Sequence, residues 1–280
     1  MSYKTILVHV DDSSHAATRI EVAAAIAMAQ NAHLIGAAVT GVSRFIEEAV
    51  AANPYSPAIT PYLDTLRQRA SVSLDKFEEQ VHRIGVRSFE RRLSDDEGSG
   101  GIGLQARYSD LVVVGQSDPA EPAHAVDVDF PEYVALTSGA PVLIIPFARE
   151  FPRVGLHAVV AWNGSREARR AVQDAIPLLQ AAQTVDVAVL NPVERHDEHG
   201  AEPGADMARY LHRHGIKVEL KVETVKHGEL GEALLSMVAA ASADLLVMGC
   251  YGHTRFREML LGGVTRHVLA SMTVPVFMAH

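Results

Sequence analysis

One cysteine, Cys250, stands among 280 residues, so no disulfide can form within the chain. That fits a reducing compartment. No apolar run approaches the roughly 18 to 20 residues needed to cross a bilayer. The first apolar stretch, 5–10, is too short for a signal-peptide core and runs into Asp11 and Asp12, so a cytoplasmic, membrane-free location is expected. Clustered Lys and Arg are also missing. The net charge is −9, and neutralising phosphates on DNA or RNA needs clustered cations, so nucleic acid is not the expected partner. The phosphate-loop pattern G-x-x-x-x-G-K-[ST] is absent as well.

What the chain does have is bulk and repetition. Hydrophobic residues make up 48%, a globular rather than a disordered composition, and the length suits two domains. The charge is uneven. Residues 1–150 hold 12 Lys and Arg against 20 Asp and Glu, whereas 151–280 hold 13 against 14. The near-neutral second half is the better host for an anionic small ligand.

Compared with itself, the chain shows three ordered matches. Thr5-Ile6-Leu7-Val8-His9-Val10-Asp11-Asp12-Ser13 parallels His157-Ala158-Val159-Val160-Ala161-Trp162-Asn163-Gly164-Ser165. Ser109-Asp110-Leu111-Val112-Val113-Val114-Gly115 parallels Ala243-Asp244-Leu245-Leu246-Val247-Met248-Gly249, and Ala140-Pro141-Val142 parallels Val274-Pro275-Val276. Residues 1–148 and 154–280 are therefore expected to be copies of one α/β domain, joined by a linker at 148–154.

In the first copy, strands are expected at 5–10, 34–39, 86–93, 111–114 and 142–145. Helices are expected from Ser13 or Ser14 to Gln30, at 61–84 with Leu63, Leu66, Val72, Leu74 and Phe77 on the apolar side, at 101–107 and at 131–137. The second copy repeats this, with strands at 157–162, 184–190, 217–226, 244–248 and 274–279. Its helices are expected at 165–182, 203–214, 229–241 and 263–271. Continuous apolar strands such as 111–114 and 245–248 are those of a parallel sheet covered on both faces. Ligands in such sheets bind beyond the strands' carboxyl ends, where strand order reverses. That gathers the loops after Trp162, Leu190 and Met248 into one crevice.

The most informative stretch reads G-x-x-G, nine residues, then G-G-V-T: Gly249, Gly252, Gly262, Gly263, Val264 and Thr265. The first pair follows a strand and the second opens a helix. Glycines admit close backbone approach, and the unpaired N–H groups of a helix start attract anions. A hydroxyl on Thr265 can add a donor. This pattern resembles the nucleotide-binding signature of the universal stress protein family, and the resemblance covers the chain twice. It implies two tandem Rossmann-like, adenine nucleotide alpha hydrolase-like domains, each a five-stranded parallel sheet with helices on both faces. It also implies an intramolecular pseudo-dimer through the closing strands, with a homodimer of chains as a further option.

The resemblance implies ATP, with or without Mg²⁺, held by Asn163, Val189, Met248, Gly249, Gly252, Gly262, Gly263, Val264 and Thr265; His253, beside Gly252, is added as a candidate phosphate contact. Two positions depart from the family pattern: Gly263 stands where Ser or Thr is usual, and Asn163 where Asp is usual. In the first copy, Asp118, Val128, Asp129 and Pro131 occupy the positions of Gly252, Gly262, Gly263 and Thr265, so no ATP site is expected there.

Other features have ordinary readings of comparable or greater weight. His253 reads equally well as an exposed loop histidine, and Cys250 as a passive buried thiol. His196 and His199, with His212 and His214 nearby in sequence, carry zinc-ligand types, but a polar loop is the better reading and no metal ligand is assigned. The run 98–103 reads as a flexible lead-in to a helix, and 118–127 as a mobile surface loop. No catalytic residue is assigned. A nucleotide-binding stress-response or regulatory protein is expected; the alternatives are a slow ATP hydrolase and a nucleotide-free interaction module with a metal or another small ligand.

Overall fold

The computed structural model of the protein describes residues 2–42, 59–121, 125–147, 151–192, 202–226, 228–250 and 263–280. The chain divides into two compact units, residues 2–142 and 153–280 forming the bulk of each.

In the first unit the elements are β1 (Thr5–His9), α1 (Ala16–Gln30), β2 (His33–Val39), α2 (Ile59–Ile84), β3 (Phe89–Ser94), α3 (Gly98–Ala106), β4 (Leu111–Gly115), α4 (Phe130–Thr137) and β5 (Val142–Ile145). Strand order is β3-β2-β1-β4-β5. The β1–β2, β1–β4 and β2–β3 pairs are parallel, with Leu7 opposite Ile35 and Val112. Ile6, Leu7, Val8 and Leu111–Val114 are fully buried, as strands covered on both faces must be. Helices α1 and α2 pack together on one face, and α3 with α4 on the other. A Cβ on Gly36 would lie 2.4 Å from the ring of Phe77. Glycine at this strand centre is what lets α2 seat Phe77 flat on the sheet.

The second unit runs β6 (His157–Ala161), α5 (Arg166–Leu179), β7 (Thr184–Leu190), α6 (Ala205–Arg213), β8 (Val218–Glu223), α7 (Leu230–Ala240), β9 (Leu245–Gly249), α8 (Val264–Ser271) and β10 (Val276–Ala279). Strand order is β10-β9-β6-β7-β8, parallel throughout, with Val159 opposite Asp186 and Leu246. It is the same order as in the first unit, and in each the chain reverses direction across the sheet at the first strand. The outer strand β8 is largely exposed and alternates charges, Glu219, Lys221 and Glu223, with Leu220 and Val222. Charge on such an edge discourages pairing with a stray strand.

Three sequence expectations need correction. Ser13 and Ser14 do not cap α1: its N-cap is His15, without a side-chain bond. The Ser13 hydroxyl is drawn to Asp11 Oδ1 at 2.6 Å, and that of Ser14 to Glu121. In the second unit Ser165 does cap, its Oγ accepting from the Ala168 N–H at 3.1 Å. Val72 is exposed, because the buried stripe of α2 runs through Leu63, Ala70, Leu74, Phe77 and Val81 at spacings of three, four and seven. The run 98–103 lies within α3 rather than forming a flexible lead-in. A Cβ on Gly98 would lie 2.1 Å from the Ala125 carbonyl oxygen, so its glycine serves packing.

Candidate functional site

Each unit has a cavity at the carboxyl ends of its two central strands. In the second unit it measures about 180 Å³ and is lined by Ala161, Trp162 and Asn163 after β6, Ala188, Leu190 and Asn191 at the end of β7, Leu230 and Leu234 of α7, Met248 and Gly249 of β9, and Val264 of α8. The described residues at Trp162, Leu190 and Met248 and just after them do meet at this one cavity. The wall is apolar with two amides, the usual make-up of a small-molecule site. None of these lining residues is titratable.

Of the sequence-derived candidates, Asn163, Met248, Gly249 and Val264 meet at this cavity. Asn163 Oδ1 accepts the Ser165 N–H at 3.1 Å and shapes the turn into α5. Gly249 lies against the first turn of that helix. A Cβ there would sit 2.4 Å from Ala168 N and 2.6 Å from the Glu167 carbonyl carbon. Gly263 is the N-cap of α8, and Thr265 is buried without lining the cavity. Val189 is also buried without lining it. Its side chain lies on the α6 side, near the space a Cβ of Gly204 would fill; its neighbours Ala188 and Leu190 face the cavity, as strand alternation requires. Gly252, His253 and Gly262 lie outside the described residues, as do His196 and His199. His212 and His214 join no metal-type cluster among the described residues. Cys250 is fully buried, its N–H donating to the Ala279 carbonyl at 3.0 Å.

Sequence reasoning brought the loops after Trp162 and Leu190 to the crevice without assigning either residue to the site, and it missed Asn191, Leu230 and Leu234. Asn191 is the most telling. It adopts a left-handed backbone with φ of 51° and is 6% exposed. Its Oδ1 accepts the Val225 N–H at 2.7 Å, which fixes the amide's orientation. Its buried Nδ2 then has no hydrogen-bond partner, a costly state for a buried donor.

The first unit's cavity, about 250 Å³, is lined by a different chemistry: His9, Asp11, Ser13, His15, Arg19, Asp118, Glu121 and Asp127, with Val126, Val128 and Phe130 among the apolar members. The segment 118–127 thus supplies a cavity wall through its described residues and is not merely a surface loop. Arg19 of α1 is 3% exposed. Its Nη2 pairs with Asp11 at 2.8 Å, its Nε donates to the His9 carbonyl at 2.7 Å, and its Nη1 fills the space beside Gly115. Burial alone would push the Asp11 carboxyl up. Arg19, then His9 and the Ser13 hydroxyl, outweigh it and hold Asp11 well below the usual carboxylate range. Burial pushes the His9 imidazole down to about 4, Arg19 adding to this against the pull of Asp11. Asp129 is the N-cap of α4 and Pro131 stands in its first turn, where it offers no N–H.

Two sheets of this strand order, each with a cavity at the switch point, have the doubly wound α/β architecture. A model of the universal stress protein family matches residues 156–280. Universal stress protein Slr1230 of Synechocystis sp. is 35% identical over 68 residues, 24% of this chain and 23% of that protein, so the match spans about a quarter of the relative's length. A solved universal stress protein from Archaeoglobus fulgidus DSM 4304 superposes with a TM-score of 0.72 at 17% identity, over 98% of this chain and 95% of the other. A functionally unknown protein from Pseudomonas aeruginosa PAO1 gives 0.61 at 16% identity, over 99% and 92%. Residues 156–280 are thus similar to the universal stress protein family, and the fold of a solved universal stress protein extends over the whole chain.

Proposed function

We propose that the second unit binds an adenine nucleotide, ATP being the expected form, and that the protein works as a nucleotide-responsive regulator in stress physiology. The observation that carries this reading is the buried, unpartnered Nδ2 of Asn191 in an otherwise apolar cavity. A nucleobase offers flat apolar faces for Trp162, Leu190, Leu230 and Leu234, and ring-nitrogen acceptors for that one donor. Phosphates would lie toward Gly249 and the start of α8, where a helix N-terminus favours negative charge. Mg²⁺ would arrive with the phosphates. Among the described residues the lining supplies no general base, which favours holding nucleotide over hydrolysing it. Among the described residues the first unit's corresponding cavity is instead walled by carboxylates and filled in part by Arg19.

Calorimetric titration with Mg²⁺-ATP tests the reading. Asn191→Asp keeps an acceptor for the Val225 N–H but replaces the free donor with an oxygen. It should weaken ATP and AMP alike by more than about tenfold, since a mispaired buried polar group costs about 1–3 kcal/mol. Wild-type protein that binds no ATP at millimolar concentration would overturn the reading. Steady release of ADP by the wild type would favour the hydrolase instead.

A further inference from the structure

We propose that the first unit binds a divalent transition-metal ion, zinc being the best match, through His15, Asp118 and Glu121. This rests on the first unit alone and is independent of the nucleotide reading. His15 stands at the start of α1, and the two carboxylates come from the segment after β4, more than 100 residues away in sequence. His15 Nε2 lies 3.0 Å from Asp118 Oδ2 and 3.6 Å from Glu121 Oε2, and all three atoms fall within 4.8 Å of one another. Neighbouring ligands of a tetrahedral ion with bonds of about 2.0–2.1 Å lie about 3.3–3.4 Å apart. His15 Nε2 already sits near that spacing from each of the two carboxylate oxygens. An ion would replace the proton that His15 and Asp118 now share.

The remaining carboxylate oxygens are tied back. The Ala120 N–H donates to Asp118 Oδ1 at 2.8 Å, and the Ser14 N–H to Glu121 Oε1 at 2.9 Å. Bonds of this kind orient metal ligands. The Ser14 hydroxyl, 2.6 Å from Glu121 Oε2 and 3.4 Å from His15 Nε2, would turn away from Oε2 on metal binding. A nitrogen with two carboxylates suits a borderline ion better than Ca²⁺ or Mg²⁺, which favour all-oxygen shells.

A separate observation points to an occupant of this cavity. His9, 1% exposed, forms part of the same wall, and its Nε2 has no hydrogen-bond partner. Among the described residues, the other charged groups lining the cavity are Asp11 and Asp127, both acidic, and Arg19, which is consumed by Asp11. An excess of carboxylates with one engaged cation attracts a cation and repels phosphate. The residue that displaces the family's second glycine, Asp118, is thus the one that completes a metal donor set.

The test is calorimetric titration of the full-length protein with zinc chloride, and with cobalt chloride followed by visible absorption. One zinc per chain is expected, with a tetrahedral cobalt spectrum. His15→Ala and Glu121→Gln should each weaken zinc binding by more than about tenfold while leaving the circular dichroism spectrum unchanged. Magnesium at the same concentration should give no heat. The proposal is overturned if the wild type binds no zinc below about 100 µM free metal, a weak affinity against structural sites. It is equally overturned if His15→Ala binds as the wild type does while His199→Ala does not.

Discussion

Replacing His9 by leucine should remove much of the protein's acid sensitivity above pH 5. His9 is 1% exposed, packs its ring 4.8 Å from that of Phe130, and titrates at about 4 instead of its ordinary 6.5. Between those values the unfolded chain holds a proton on His9 that the folded chain does not. Its contribution is therefore complete above pH 6.5 and is lost as pH falls through 6.5 toward 4. A tenfold difference in proton affinity between the folded and unfolded chains is worth about 1.36 kcal/mol, so the wild type should lose about 2 kcal/mol from this residue between about pH 7.5 and 5.0. Asp11 adds nothing in that window. Its folded-state value is depressed, so its contribution is present above its ordinary 3.8 and lost only below it. The measurement is urea unfolding in EDTA at four pH values between about 7.5 and 5.0, by circular dichroism, for wild type and His9→Leu. The other histidines cancel in the difference between the two pH slopes. Leucine also removes an unpaired buried nitrogen, so the variant should be no less stable than wild type at the acid end of the series. If both proteins lose the same stability within about 0.5 kcal/mol, the assignment of a neutral buried His9 is wrong.

Gly249→Ala should destabilise the second unit by about 1–3 kcal/mol, since its new methyl meets the backbone of α5, which cannot rotate away. Gly100→Ala, with nothing within 4 Å of the added carbon, should be neutral or stabilising by up to about 1 kcal/mol; thermal unfolding of the pair separates packing from helix propensity. Ser165→Ala should cost the second unit about 1 kcal/mol through loss of its bond to the Ala168 N–H, read from the fluorescence of the single tryptophan, Trp162. Asn191→Asp and the zinc titration probe the two cavities separately.

The succession of strands and helices along the chain and the position of the crevice were legible because they depend on apolar runs and on repetition, both of which are written locally; the order of strands across each sheet was not. Strands 111–115 and 245–249 stand out as unbroken apolar segments, and the repeat aligned everything around them. Ser13 and Ser165 show where local reading stops. They occupy equivalent places, yet only Ser165 caps its helix. Asn163 engages the Ser165 backbone N–H and leaves the hydroxyl to Ala168, whereas Asp11 takes both the N–H and the hydroxyl of Ser13. Asn191 carries no motif. Its importance comes from a bond to Val225, 34 residues away, that leaves Nδ2 facing nothing. Arg19 was invisible for the same reason, since in sequence it is one of two charges, with Glu21, in an alanine-rich helix. His15 is separated from Asp118 and Glu121 by more than a hundred residues, and no spacing rule joins them.

The buried Arg19–Asp11 pair also bears on how the first half can change over generations. The position equivalent to Arg19 in the second half is Ala171, and that equivalent to Asp11 is Asn163. Making the first half resemble the second therefore needs at least two substitutions, and either one alone strands a charge in the interior at a cost of roughly 3–5 kcal/mol. With a typical stability of about 5–15 kcal/mol, one such step approaches the margin of folding. The pair acts as an evolutionary ratchet, holding the two halves to separate histories whatever ligand each has come to hold.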